Sequence, residues 1–323
     1  MSGAKVATAA AIIGALAVGM VIGLAAPRDD DAPSAVGGSA SVTPTQGGAD
    51  ADQWLAELAP ASIQGRLADM RVGLVATASA TDEDREAVEK ALTDAGATVP
   101  VVATLGEEWW DAQWGTFRGE LADNLTGVVQ GADDASPQML LSHAIAQALM
   151  PGALPAGAET QPAASPEDPI VLVGEPETRP TEVIRTSLER ADILTIDMAE
   201  PLVEDETGAP TNPPALDAIV LVTGEGPEGG GVVAARAVAM WELYVPTTVI
   251  VVGHSATATE PHATATEITD TVSETTTAER PTVVLVTHPV LRAPQLVFGI
   301  VEQRDGGNGV YGTIGDHPIV PTS

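Results

Sequence analysis

The chain contains no cysteine. Disulfides are therefore excluded, and so is thiolate chemistry, whether as metal ligand or as nucleophile. Lysine is almost as scarce. Lys5 and Lys90 are the only two, and Lys and Arg together number 14 against 45 Asp and Glu. With a formal net charge of −31 there is no basic stripe to meet phosphate, which argues against nucleic acid and anionic lipid surfaces as partners. Aromatic residues make up 3% of the chain, so a core must be assembled from Val, Ala, Ile and Leu. No G-x-S-x-G nucleophile elbow occurs. Long apolar runs are absent, with one exception near the N-terminus.

That exception runs from Val6 to Ala26, 21 residues without a charge. It is long enough to cross ~30 Å of hydrocarbon as a helix, and longer than the ~7–15-residue core of a secretory signal. Lys5 and the amino terminus precede it, and Asp29, Asp30 and Asp31 follow, so the positive-inside rule places the N-terminus in the cytoplasm. The expectation is an uncleaved anchor, residues 1–28, in the plasma membrane, with the bulk of the chain extracytoplasmic. Ala11, Ala15, Gly19 and Gly23 lie four apart on one helical face. Such a face allows close approach of a second helix, either in a homo-oligomer or from a partner membrane protein. The plainer reading is that Ala and Gly are common throughout this chain.

Residues 29–52 are small, polar and rich in Pro and Gly, the composition of a flexible tether. A βαβ pattern follows. Residues 71–77 (RVGLVAT) form a buried strand, Thr81 and the acidic 82–86 open a helix, Gly96 closes it, and 98–104 form the next strand. Residues 107–126 and 137–150 are further helix candidates, the second capped by Ser136 with Pro137 in its first position. The stretch 151–168 is Pro-rich and reads as a linker. Strands are then expected at 168–174, 192–197, 217–224, 247–253 and 282–288, with helices at 181–191 and 231–243. The Thr/Ala-rich stretch 256–279 is expected to be a long exposed loop. The fold class is thus α/β: a single transmembrane helix followed by a mostly parallel, doubly wound, Rossmann-like region. Two lobes are expected, 53–150 and 169–323.

Candidate sites are few. The loop G224EGPEGGG231 lies between a strand and a helix, where α/β folds hold phosphate. It is read as lacking the G-x-G-x-x-G spacing, and it carries Glu225 and Glu228 and no Lys or Arg, which points to an acidic turn rather than a nucleotide cradle. His254, His262 and His288, at or near the ends of expected strands, are candidate metal ligands. Polar strand-end loops are the plainer reading, since no HxH or HxxxH spacing supports a ligand pair. The methionines are scattered singly and read as core filler. No catalytic constellation emerges, and the body is expected to be non-enzymatic, with no cofactor of its own.

The ALAVGMVIG anchor, LADMRVGLVAT, DEDREAVEKALTDAGATV and the tail G306GNGVYGTIGDHPIVP321 occur in an order that resembles the actinobacterial copper transport protein B (MctB) family. The resemblance implies an envelope location and a role in copper homeostasis or efflux, with copper as the metal involved. A related branch, SteB, is associated with daughter-cell separation alongside a partner, so the alternative it implies is an envelope interaction module. It supplies no ligand or catalytic residues. Members carry a coiled coil just after the anchor, whereas 29–50 here has no heptads and contains Pro33 and Pro44.

Overall fold

The structure is a computed structural model. It describes residues 57–132, 135–151, 153, 155–156, 180–198, 203, 215–254, 260–275, 280–286 and 289–312. The expected anchor 1–28 with its Ala11, Ala15, Gly19 and Gly23 face, the tether 29–52 and the expected strand at 168–174 lie outside the described residues, and His288 does too. Among the described residues no helix is long and apolar enough to cross a membrane.

After a helical turn at 57–63, the strands are β1 (Arg71–Thr77), β2 (Thr98–Leu105), β3 (Leu194–Met198), β4 (Ala218–Thr223), β5 (Thr248–Gly253), β6 (Thr282–Val286) and β7 (Val310–Gly312). They form one open sheet in the order β3-β2-β1-β4-β5-β6-β7. Every pairing is parallel except β2 with β3. The mostly parallel α/β expectation is met. The two expected lobes do not appear as separate sheets: β1, from the first, pairs directly with β4, from the second.

The helices are α1 (Asp82–Asp94), α2 (Gly115–Leu125), α3 (Pro137–Leu149), α4 (Pro180–Arg190), α5 (Gly230–Trp241), α6 (Ala263–Glu274) and α7 (Pro289–Arg304). Two short 3₁₀ turns, Glu107–Trp109 and Ala112–Trp114, occupy the first part of the expected 107–126 helix. The expected caps are present. Thr81 accepts from the Asp84 amide, and Ser136 from Met139 with Pro137 in the first turn.

Alternation along the strands sorts the core into two layers. Val72, Leu74 and Ala76 of β1 face α1 and α7, together with Val220, Val222, Val249, Val251, Val284 and Val286. Val75, Ile219, Leu221, Ile250, Val252, Val283 and Leu285 point to the opposite layer, against helices α2 to α6. With both faces covered, β4, β5 and β6 are buried at every position. The edge strand β3 differs. Leu194 and Ile196 are buried while Thr195 and Asp197 are exposed, and this polar alternation belongs to a strand with one wet face.

Two elements depart from expectation. Residues 263–274, within the expected loop 256–279, form α6, whose Thr264, Ala265, Ile268 and Val272 are buried at helical spacing. The Gly-rich tail contributes β7. Buried Tyr311 donates its hydroxyl proton to Glu302 of α7, which ties the last strand to the helix before it.

Candidate functional site

The chain leaves β1 toward β2 on one side and reaches β4 on the other, so the carboxyl ends of β1 and β4 flank a topological switch point. This is where open α/β sheets bind ligands. The loop after β4 sits at this crevice. Its glycines Gly224, Gly226 and Gly229 do have the G-x-G-x-x-G spacing of phosphate-binding turns, which corrects the expectation that the loop lacks it.

The turn's donors are already taken by the chain itself. The Gly226 amide donates to Thr264 Oγ1 (2.8 Å), and the Gly229 and Gly231 amides donate to the two carboxylate oxygens of Glu267 (2.9 Å each). Glu267, on α6, therefore occupies the anion position at the start of α5. Gly229 holds φ +77°, the left-handed conformation that glycine adopts without strain. The close approaches glycine usually allows to a pyrophosphate are also spent internally. A Cβ on Gly224 would lie 2.3 Å from the Ser79 carbonyl, and one on Gly226 would lie 2.5 Å from the Trp110 ring.

The rest of the crevice is packed. Thr77 Oγ1 donates to Thr223 Oγ1 (3.1 Å), and Ser79 Oγ accepts from the Gly224 amide (3.1 Å). Trp109 and Trp110 stack with centroids 6.1 Å apart and are buried. This geometry positions loops against one another and leaves the fingerprint turn self-liganded.

At the end of β5 the structure brings His254 and His262 together as stacked rings, centroids 4.3 Å apart. His262 caps α6: its Nδ1 accepts from the Ala265 amide (3.2 Å) and its Nε2 donates to the Gly253 carbonyl (3.2 Å). Both its nitrogens are engaged. His254 directs Nδ1 to the Val252 carbonyl (3.1 Å). Its pKa is lowered by burial, then by neighbouring His262, against opposing contributions from the Val252 carbonyl and Asp84. His254 Nε2 is buried without a hydrogen-bond partner, and the third candidate, His288, lies outside the described residues. Among the described residues no group of three or more His, Cys, Asp or Glu is placed to hold one. Beside them Arg292 of α7 pairs with Asp84 of α1 (Nη2–Oδ1 2.6 Å), both side chains nearly buried.

A second polar cluster joins α3 to the end of α5. His143 Nδ1 lies 2.7 Å from the Tyr244 hydroxyl, which also accepts from Gln147 Nε2 (3.1 Å). Gln147 donates further to the Gln130 carbonyl (2.7 Å). Burial lowers the His143 pKa and pushes the Tyr244 phenol up to about 12, so both groups are neutral at pH 7. Sequence reading passed over this cluster because His143 and Tyr244 are 101 positions apart.

A family model described as "Copper transport outer membrane protein, MctB" matches residues 3–321. The chain belongs to the MctB family. The match spans nearly the whole chain, from the apolar N-terminal run through the Gly-rich tail. A search of curated proteins gives no match. In this member the doubly wound body has a switch-point crevice closed by its own residues.

Proposed function

We propose that this MctB protein is a non-enzymatic, single-pass envelope protein of copper homeostasis or efflux. In this reading residues 6–26 anchor it in the plasma membrane with the N-terminus in the cytoplasm, and the α/β body works outside. The observation that carries the non-enzymatic reading is Glu267 seated on the Gly229 and Gly231 amides. Among the described residues, the switch-point crevice where this fold would take a nucleotide cofactor is filled by the chain's own carboxylate. The family description supports the tie to copper.

Deletion of the gene tests the reading. The expected result is a lowered copper tolerance with altered cellular copper, restored by the full-length chain. Unchanged tolerance and copper content would sink it. Normal copper handling with a septation defect would instead favour the runner-up, an anchored module for cell separation that uses the Ala11, Ala15, Gly19 and Gly23 face to engage a partner helix. Mass spectrometry of the membrane fraction tests the topology. An N-terminus near Ala26 would mean that the run is cleaved and the body released.

A further inference from the structure

The stacked histidines at the end of β5 do more than fill space. His262 stands at the N-cap of α6, a position usually held by Ser, Thr, Asp or Asn. Its Nδ1 accepts from the Ala265 amide and its Nε2 donates to the Gly253 carbonyl. Only the neutral ring with its proton on Nε2 satisfies both bonds. An imidazolium carries a proton on each nitrogen and would turn one of them toward the Ala265 N–H. We propose that His262 is an acid-sensitive latch: neutral, it seats the first turn of α6 against the glycine-rich turn after β4, and protonated, it lets that first turn go.

The surroundings favour release over accommodation of the charge. A positive charge at a helix N-terminus opposes the helix dipole. The His254 ring lies 4.3 Å away, centroid to centroid, and the two rings resist each other's charge: the His254 pKa is lowered first by burial and then by His262. The nearby carboxylates are committed elsewhere or stand in water. Asp84 of α1 is paired with Arg292 of α7, and Glu267 of α6 is held by the Gly229 and Gly231 amides. Glu260, two residues before the ring, and Glu225 and Glu228 of the glycine-rich turn are exposed. His262 itself is only partly buried, so protons reach it.

The cap matters because α6 is weak on its own. Four of its twelve residues are threonine, a poor helix former. Thr264 and Glu267, the two groups that hold the amides of Gly226, Gly229 and Gly231, both lie within five residues of the cap. Its loss therefore loosens the clasp across the switch-point crevice, while Ile268 and Val272 keep the rest of the helix on the core.

Hydrogen exchange of the full-length chain in detergent micelles, read by mass spectrometry as protection factors, tests the latch. Between pH 7.5 and 5.5 the protection of amides 265–268 should fall by about five- to tenfold, the effect of losing one N-cap, and by more than that of the β4 and β5 amides. His262→Asn supplies a cap that does not titrate, so it should keep its pH 7.5 protection at pH 5.5. Ring nitrogen-15 spectra of the wild type need no variant. The His262 ring should show a bare Nδ1 at pH 7.5 and two protonated nitrogens at pH 5.5. A ring that stays neutral at pH 5.5 overturns the latch. So does a wild-type fall no larger than that of β4 and β5, or an equal fall in His262→Asn.

Discussion

Glu267 does for the α5 turn what a bound phosphate does in nucleotide-binding folds: it supplies negative charge where backbone amides converge on a helix start. Removing the carboxylate leaves two amides without a partner. Glu267→Ala should therefore cost about 3 kcal/mol, and Glu267→Gln less, because hydrogen bonds to charged groups contribute ~1.5–3 kcal/mol each. Urea unfolding measures both. Acetate or phosphate at high concentration should restore part of the loss in Glu267→Ala and do nothing for the wild type. If Glu267→Ala unfolds at the wild-type urea midpoint, the clasp contributes nothing. The buried imidazoles give a second prediction at this scale. His143 and His254 both bind a proton less readily when folded than when unfolded, since their pKa values are lowered. Their contribution to stability is complete above the unfolded value of ~6.5 and is lost as pH falls below it. Lowering the pH from 7.5 to 5.5 should reduce the urea midpoint, and His254→Gln should reduce it less. Parallel pH profiles for wild type and variant would count against His254 as a contributor.

Among the elements, α1 and α7 come from opposite ends of the body yet pack on the same sheet face, joined by Asp84 and Arg292. Removing one partner from a nearly buried pair strands the other charge, so Asp84→Asn should destabilise by about 3 kcal/mol or more. A paired Asp84→Leu, Arg292→Met variant should recover much of that, as denaturant titration would register. Elements with strong local signals were legible in the sequence. Thr81 and Ser136 announced their helices through capping, and the Val-rich runs of β4, β5 and β6 announced buried parallel strands. Others depended on tertiary context. α6 is Thr-rich, and threonine has weak helix propensity. Several of its hydroxyls bond back to carbonyls one turn earlier, among them Thr266 to His262 and Ser273 to Thr269. The helix forms because Ile268 and Val272 have a core to enter and Glu267 an amide cradle to fill. The antiparallel direction of β3 had no local signal at all, because alternation shows which face is wet and not which way a strand runs. At the candidate site the glycine spacing was present in the sequence, but its occupant lies 36 positions beyond Gly231. Only the packing of α6 on α5 reveals it.

At the level of the whole molecule, the sheet order makes the two halves of the chain interdependent. β1 sits between β2 and β4, and its apolar face is covered by residues from both ends of the body, including Leu296, Val297 and Ile300 of α7. A fragment of residues 53–150 would leave one edge of β1 unpaired and Val72, Leu74 and Ala76 without α7. It should lack a dispersed amide NMR spectrum and a cooperative unfolding transition. A well-dispersed spectrum from that fragment would show the first half to be a domain in its own right. The central place of β1 also governs timing. Thr77 and Thr223, whose hydroxyls meet at the switch point, are 146 positions apart. At ~5–20 residues per second of synthesis, β1 waits on the order of ten seconds before the strand that completes it leaves the ribosome. Throughout that interval a Val-rich strand stands with one edge bare. The sheet is complete only once α7 and β7 have been synthesised, so the order of the strands sets the last step of assembly at the end of the chain.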